Sequence, residues 1–537
     1  MKNLERIFFA FYIPIGLWAC LNSGISWDEL TEYQSLNINL QAVKGFWSGS
    51  LVEYQQLLNY GDRYYGIGFH LVSNAVAKFA LLINGHLISL SNTPSEILFA
   101  HIAVFGAFVL SGLFVKSILY KLTVNSPIAI LGMIAYLLWP YLLGHSFFNV
   151  KDIPFLFAWI LATSIYLNIL QLWHSSFLVS KKRITVQFVI FGLCTAWLLS
   201  IRVSGVMIFI EYAIFLMVYL LIGGCQIKRI LTPGNILAFA IPLALGLFLL
   251  SPVYWHNPLE ILNAISYMSH HPWDGDTLTA GKLLGPKQFN LFYIPAWLLI
   301  KLPVFVLLGW MLIPFVLYKA IKKQAIYING TALLNLTGFI FTVASILLFL
   351  VLLKAGLYNE LRQILFIFPL IYIVGFCGLY YVSKKFLAIS LVITALIFAA
   401  DNIAMYPYQY TYMNEVSRQM DISNRYEKDY FSLSASRNVA WLNQNYSVDK
   451  DIACIFVSST HLWGDLDKTK YSCVNGYLNF ASTTAPFVFS WLIRDRTDLL
   501  PLPTCKLIHQ EQVNLPLSNT KLVMSQVFFC NPALTEK

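Results

Sequence analysis

The chain has 537 residues, of which 58% are hydrophobic and only 12% are charged, and its mean hydropathy is +0.65. Soluble proteins carry roughly 25% charged residues, so this composition excludes a soluble globular protein and indicates a membrane protein. The net charge of +10 comes entirely from the apolar part of the chain: residues 1–405 hold 24 Lys and Arg against 14 Asp and Glu, whereas residues 406–537 hold 12 of each. Positive charge between apolar spans reflects membrane topology, so it does not indicate a nucleic-acid partner.

Apolar segments of spanning length recur through the first 405 residues and predict about eleven transmembrane helices. They lie at 7–25, 97–119, 127–144, 153–173, 184–203, 204–222, 235–254, 293–318, 332–353, 363–383 and 386–405. With a cytoplasmic N-terminus, the inside segments carry fourteen basic residues and one acid, Glu5, which is the bias expected of cytoplasmic loops. The odd number of spans then places residues 406–537 outside the cytoplasm.

The segment 67–90 is also long enough to span a membrane, but it contains His70, Lys78 and His86. Counting it as a span would reverse every later loop and place basic loops outside. We therefore expect this segment to lie at the outer membrane interface, within a first outer loop that runs from residue 26 to residue 94.

Two adjacent acids, Asp28 and Glu29, follow the first span in the polar cluster Ser26-Trp27-Asp28-Glu29-Leu30-Thr31-Glu32, in which Glu32 is given no role. Ionisable groups near the membrane are costly, about 2.5 to 3.5 kcal/mol at the centre of a helix, so they tend to be functional or paired. A carboxylate here can act as general base for an acceptor hydroxyl, which makes Asp28 and Glu29 candidate catalytic residues. The alternative is a helix N-terminus, where the helix dipole favours acids.

A second polar group is the short outer loop 144–152, which ends in Lys151 and Asp152. Lys151 is suited to binding a phosphate as a point charge, and Asp152 to capping the next helix or orienting the lysine. The alternative is a capped turn whose lysine extends to the lipid head groups.

Four cations lie at predicted outer ends of spans: Arg202, Lys301, Lys354 and Arg362. The two arginines are the better phosphate candidates, because a guanidinium binds phosphate oxygens bidentately; contact with lipid head groups is the alternative for all four. Glu211 lies inside a predicted span, where pairing with a basic side chain or a hydroxyl is favoured over catalysis.

The outer loop 256–292 contains two adjacent histidines, His270 and His271, and an Asp-Gly-Asp sequence, Asp274 to Asp276. His270 is a candidate hydrogen-bond donor to a substrate, and Asp274 a candidate substrate ligand. The two aspartates are also a possible divalent-metal pair, but no third carboxylate lies close in sequence and Asp-Gly is a frequent turn, so the turn is favoured.

Composition changes after residue 405, and residues 406–537 predict a small α/β domain with short strands at 452–457 and 521–529. Four of the eight cysteines lie in this region: Cys454, Cys473, Cys505 and Cys530. In an oxidising compartment they favour two disulfides, with sequence neighbours paired, although three pairings are possible. Zinc is less favoured, because there is no Cys-x-x-Cys motif.

An ordered series of motifs carries a family resemblance. The motifs are the Asp28-Glu29 pair, Gly-His-Ser-Phe-Phe-Asn-x-Lys-Asp-Ile-Pro at 144–154, Tyr-Met-Ser-His and Pro-Trp-Asp-Gly within 267–275, Arg-Gln-Ile-Leu-Phe-Ile-Phe-Pro at 362–369, and aromatic stretches at 406–415 and 429–434. Over most of residues 1–445 the chain resembles bacterial polyprenyl-phosphate-sugar-dependent glycosyltransferases of the GT-C superfamily, in the clan of protein O-mannosyltransferases and lipid A aminoarabinose transferases.

The resemblance implies a polytopic α-helical membrane protein with a GT-C-like domain over residues 1–405 and a small extracytoplasmic α/β domain over residues 406–537. It implies an inverting glycosyltransferase of the bacterial cytoplasmic membrane. Such an enzyme moves a hexose or pentose from a polyprenyl-phosphate carrier to a hydroxyl of a lipid, glycan or protein acceptor at the outer face, surrounded by membrane lipids.

The resemblance also implies roles for individual residues. Asp28 matches the catalytic carboxylate of the family, with Glu29 beside it. The donor phosphate would be bound by Lys151, Arg202 and Arg362, and the substrate by Asp152, His270 and Asp274. No metal or other cofactor is required, and a divalent metal is possible but not favoured. Many relatives carry an arginine near the start of the second span, where this chain has Glu96 and His101.

The residues leave two other functions open. Eleven spans and the acid Glu211 within one of them are also compatible with a transporter or flippase of lipid-linked sugars. A non-catalytic assembly or sensor protein with an exported domain is the second alternative, and it predicts indifference to the loss of Asp28, Lys151 and Arg362.

Overall fold

A computed structural model gives the fold. It describes residues 2–84, 95–174, 180–224, 231–269, 275–285, 291–322, 328–420, 422 and 424–445, and in the tail residues 454–457, 466, 474–476, 486–492 and 503–531.

The described part is mainly helical, and its α-helices are numbered here in chain order. They are α1 Lys2–Leu21, α2 Trp27–Ser48, α3 Val52–Asn59, α4 Gly68–Asn84, α5 Ser95–Thr123, α6 Ser126–Leu138, α7 Pro140–Ser146, α8 Asp152–His174, α9 Lys181–Ile201, α10 Ile208–Leu221, α11 Pro233–Leu250, α12 Glu260–Ser269, α13 Tyr293–Lys301, α14 Val304–Ile321, α15 Gly330–Leu352, α16 Phe368–Val382, α17 Lys384–Ala404 and α18 Leu433–Asn445. Short 3-10 helices cover Val203–Met207, Pro252–Tyr254, Arg362–Ile367, Gln409–Thr411 and Ser417–Gln419.

In the described part of the chain, ten helices are long and apolar enough to cross a membrane, or eleven if the bent pair α6 and α7 is one span. This confirms the prediction of a multi-pass α-helical membrane protein. The pair bends by 61° at Trp139, because the residue before Pro140 is disfavoured in helical geometry. The prediction of one span over 293–318 was wrong: α13 ends at Lys301 and α14 follows the N-cap Pro303, which cannot donate a helical hydrogen bond.

The segment 67–90 forms α4 as far as Asn84, and its remaining residues lie outside the described ones. Its apolar part, Gly68–Ile83, is shorter than the spanning helices. The helix packs against α5 and α9. Its location at the membrane interface stays a prediction.

The tail contains a five-stranded mixed sheet in the order β4-β3-β5-β7-β6, numbered after a small hairpin of β1 Thr277–Thr279 and β2 Lys282–Leu284. Its strands are β3 Cys454–Val457, β4 Val474–Gly476, β5 Phe487–Leu492, β6 Cys505–Asn514 and β7 Lys521–Cys530. Strand β3 runs parallel to β4 and β5, whereas β7 is antiparallel to β5 and β6. Helix α18 packs on this sheet, so the tail has the predicted α/β character.

One disulfide, Cys505 to Cys530, joins β6 and β7, and it is one of the two predicted pairs. The other predicted pair, Cys454 with Cys473, lies outside the described side chains.

The stretch after α17 belongs to the core of the helical body. Tyr408, Tyr410 and Tyr412 are almost fully buried. Arg418 donates to both carboxylate oxygens of Asp401 on α17, at 2.8 and 2.9 Å, and to the carbonyl of Pro516 in the β6–β7 turn at 2.8 Å. The tail is therefore joined to the last predicted span by a buried ion pair.

Candidate active site

One cavity of about 250 Å³ collects polar side chains from distant parts of the chain. It is bounded by the N-terminal turns of α2, the loops before α4 and α8, the end of α9 and the segment leading into the 3-10 helix at Arg362. Six residues singled out in the sequence line it together: Asp28, Glu29, Lys151, Asp152, Arg202 and Arg362.

The N-terminus of α2 positions the two acids. Ser26 caps the helix, and Glu29 completes a capping box by accepting a hydrogen bond from the Ser26 backbone N–H at 2.6 Å, so the predicted helix start is present. The other oxygen of Glu29 lies 2.5 Å from Nε2 of His101, whose Nδ1 lies 2.9 Å from the carbonyl oxygen of Cys20. Glu29 is thus buried with both oxygens bonded, and it fixes α2 to α5.

Asp28 faces the cavity instead. Its side chain is 40% exposed, whereas that of Glu29 is 2% exposed. One carboxylate oxygen accepts a hydrogen bond from Arg362 at 2.5 Å, and no described residue bonds to the other. The Arg362 guanidinium also lies over the rings of Tyr358 at 5.6 Å and Phe431 at 5.2 Å. This packing holds the cation beside the one acid of the pair that is open to the cavity.

Lys151 is bound by an acid that the sequence reasoning did not select. Its ammonium pairs with Glu32 and lies 3.5 Å from the centre of the Tyr65 ring. The other oxygen of Glu32 lies 3.0 Å from His70 Nε2. Burial alone would raise the pKa of Glu32, but the Lys151 charge and the His70 contact hold that pKa well below its ordinary value. The spacing of Asp28 and Glu32, four residues apart, could have indicated that both acids share one helix face.

Asp152 and Arg202 form a third ion pair in the cavity. Asn149 orients Asp152, because its amide donates to a carboxylate oxygen at 3.0 Å while its carbonyl oxygen accepts from the Asp152 backbone N–H at 2.9 Å. Arg202 follows the last turn of α9 in an extended conformation and lies over the Phe155 ring at 5.8 Å. The prediction that Asp152 orients Lys151 was wrong, because Asp152 pairs with Arg202 and Lys151 pairs with Glu32. Asp152 lies in the first turn of α8, where the side chain that accepts a hydrogen bond from its backbone N–H is that of Asn149.

The loop before α4 adds a further acid, Asp62, which lines the cavity and which the sequence reasoning also missed. Close packing fixes this loop against the end of α9. A Cβ atom on Gly66 would lie 2.1 Å from the Ser200 carbonyl oxygen, and one on Gly68 would lie 1.9 Å from the Ser200 hydroxyl oxygen. Only glycine permits this approach at either position.

A fully buried ion pair lies outside the cavity lining, close in sequence to Arg362. Lys301 at the end of α13 donates to Glu360 at 2.8 Å, and both side chains are 0% exposed. Burial raises the pKa of Glu360 to about 7, although the Lys301 charge opposes that rise. Lys301 therefore has a protein partner rather than extending to lipid head groups.

The other predicted residues include three that the structure does not describe. His270, His271 and Asp274 are outside the described residues, and Asp276 is exposed away from the cavity. Glu211 accepts hydrogen bonds from Trp159 at 2.7 Å and Thr163 at 2.5 Å, so it is paired as predicted. Among the described residues, no group of three or more His, Cys, Asp and Glu side chains could hold a metal ion.

The fold is similar to that of several solved structures at low sequence identity. The apo structure of ArnT from Cupriavidus metallidurans matches over 99% of both chains with 12% identity and a TM-score of 0.47. The same protein bound to undecaprenyl phosphate matches over 98% of both chains with 11% identity and a TM-score of 0.44. An oligosaccharyltransferase from Archaeoglobus fulgidus, in complex with Zn and sulfate, matches over 77% of this chain and 54% of that chain with 11% identity and a TM-score of 0.39.

No protein-family model and no curated protein matches the chain.

Proposed function

We propose that this protein is an inverting glycosyltransferase that moves a sugar from a polyprenyl-phosphate carrier to an acceptor hydroxyl at the extracytoplasmic face of a bacterial cytoplasmic membrane. One observation carries the proposal: a solvent-open carboxylate, Asp28, shares a cavity with three cations, Lys151, Arg202 and Arg362. A base and a set of phosphate ligands are the groups that this reaction needs.

Asp28 acts as the general base in this proposal. Its unbonded oxygen takes the proton of the acceptor hydroxyl as that oxygen attacks the anomeric carbon. The bond from the anomeric carbon to the carrier phosphate breaks, and its electron pair leaves with the phosphate. Because attack and departure occur on opposite faces in a single displacement, the configuration at the anomeric carbon is inverted.

The cations stabilise the leaving phosphate, which gains negative charge in the transition state. Guanidinium groups that are already held in place bind such a charge without further reorganisation. Arg362 is held by aromatic rings and Arg202 by Asp152 and the Phe155 ring. In this scheme Glu29 is a positioning residue, since its bonds to Ser26 and His101 fix the helix turn that carries Asp28.

The observation that motivated the transporter alternative has another explanation. Glu211 has both oxygens bonded to neighbouring helix residues, and it does not line the cavity. Glu211 therefore gives no support to transport, and the candidate spans are compatible with either function.

The test uses purified protein in lipid nanodiscs with labelled undecaprenyl-phosphate hexoses and pentoses and an extract of bacterial envelope lipids and glycans. We expect a labelled product of inverted configuration and release of undecaprenyl phosphate, both lost in Asp28→Asn. Asp276→Asn is the matched control, because it makes the same change at an exposed acid outside the cavity.

In proteoliposomes, movement of the labelled donor across the bilayer without a new glycosidic bond would instead identify a flippase. Mass spectrometry of lipids and glycans from cells that lack the protein identifies the acceptor.

A further inference from the structure

Among the described residues, one carboxylate of the cavity, that of Asp62, has no cationic partner. Five carboxylates line it: Asp28, Glu29, Glu32, Asp62 and Asp152. Four of them pair with Arg362, His101, Lys151 and Arg202, respectively. Asp62 forms no ion pair with any residue in the described part of the chain, so its charge faces the cavity without a cationic partner.

The cation next to Asp62 in sequence is engaged elsewhere. The next residue, Arg63, lies over the Tyr64 ring at 4.5 Å and donates to the Tyr64 hydroxyl at 3.1 Å, and that hydroxyl in turn bonds Glu260 on α12. On the other side, the Tyr60 hydroxyl contacts both Asp62 and Ser35. The cation nearest in sequence to Asp62 is therefore committed to a different contact.

The loop that carries Asp62 is also fixed in place. The Asp62 carbonyl accepts a hydrogen bond from the Tyr65 backbone N–H at 2.9 Å, and Gly66 packs against the backbone at the end of α9. A carboxylate on such a loop keeps its position relative to the Arg202 that follows α9. Preorganised polar groups of this kind determine ligand specificity.

An ionised carboxylate only accepts hydrogen bonds, and it repels a phosphate. Of the chemical groups of a polyprenyl-phosphate sugar, the sugar hydroxyls are hydrogen-bond donors and the phosphate and isoprenoid are not. We propose that Asp62 is a specificity-determining residue that accepts hydrogen bonds from hydroxyl groups of the transferred sugar. This inference rests on the proposed function and adds the group that selects the sugar.

The test compares two carriers with the purified full-length protein in nanodiscs: undecaprenyl phosphate and an undecaprenyl-phosphate hexose. Loss of hydrogen bonds to a charged group weakens affinity by about 10-fold to 100-fold. We expect Asp62→Asn to weaken binding of the sugar-bearing carrier by about 10-fold, because one acceptor oxygen remains, and Asp62→Leu by about 100-fold. Both variants should bind undecaprenyl phosphate at least as tightly as wild type, because they remove a carboxylate that repels the phosphate, and Asp276→Asn should bind both carriers like wild type.

Turnover provides a second readout that a merely structural role would not change. Wild type should discriminate between a hexose donor and its deoxy analogues at the hydroxyl that Asp62 binds, and Asp62→Asn should reduce the ratio of their kcat/KM values towards one. Equal weakening for both carriers, or unchanged binding of the sugar-bearing carrier, would overturn the inference. Failure of wild type to bind undecaprenyl phosphate would instead overturn the proposed function, and this inference with it.

Discussion

Replacement of Asp28 by asparagine should change carrier binding and turnover in opposite directions. The Arg362 guanidinium donates to Asp28 at 2.5 Å, so a phosphate that binds Arg362 must compete with that carboxylate. Asparagine preserves the size of the side chain and removes its charge. We therefore expect Asp28→Asn to bind undecaprenyl phosphate more tightly and to transfer sugar more slowly.

The exposures of the two side chains set the magnitude of the binding effect. The Asp28 side chain is 40% exposed and that of Arg362 is 13% exposed, so solvent screens the pair and its contribution is about 0.5 to 1 kcal/mol. The expected gain is about 2-fold to 5-fold in Kd for undecaprenyl phosphate. Removal of a general base lowers kcat by about 10²-fold to 10⁴-fold.

Native mass spectrometry of nanodisc complexes gives Kd, and release of labelled product gives kcat. The gain in affinity should shrink as salt concentration rises, because the competition is electrostatic. Asp276→Asn provides the comparison at an exposed acid outside the cavity. Weaker binding of undecaprenyl phosphate by Asp28→Asn, or turnover close to that of wild type, would refute the reasoning.

Three further predictions concern stability. Arg418→Met leaves Asp401 buried without its partner and should lower the free energy of unfolding by about 3 to 5 kcal/mol; the thermal midpoint in detergent measures this, and a second change, Asp401→Leu, should restore part of the loss. Because burial raises the pKa of Glu360 from 4.5 to about 7, the folded state retains a proton that the unfolded state releases, so stability from this group is present below pH 4.5 and is lost as the pH rises through 7. The thermal unfolding midpoint should decrease as the pH is raised from 5 to 8, and it should decrease less in Glu360→Gln. An equal decrease in wild type and in this variant would exclude Glu360 as the cause. Cys505→Ser removes the disulfide to Cys530, which closes a separation of 25 residues, and should destabilise the tail by about 3 kcal/mol. Limited proteolysis of the tail should be faster in this variant than in oxidised wild type and should match that of reduced wild type. Equal proteolysis rates for oxidised wild type and the variant would contradict the prediction.

The spans could be predicted because a helix in lipid needs only sufficient apolar length. Their interruptions were harder to predict, since mean apolarity over a window conceals single residues such as Pro140 and Pro303. The disulfide between Cys505 and Cys530 followed from proximity in sequence, which here coincides with proximity across one hairpin.

The site was predictable as a set of residues but not as a set of pairs. Asp28 and Arg362 could be placed on the same predicted face of the membrane, but they are 334 positions apart and no sequence pattern joins them. Glu32 and Asp62 were missed because their roles depend on which cations the fold brings near them. In the described part of the chain Lys151 pairs with Glu32 and Asp62 has no cationic partner, and three-dimensional packing determines that outcome.

The Arg418 contact also sets an order for biogenesis. Asp401 lies within the last predicted span, where an unneutralised acid is costly, and the arginine that neutralises it also binds a carbonyl 98 residues further along the chain. The last hydrogen-bond partner of this buried arginine is therefore available only once synthesis has reached the turn between β6 and β7. A chain that stops ahead of Pro516 lacks that contact to the arginine that neutralises Asp401.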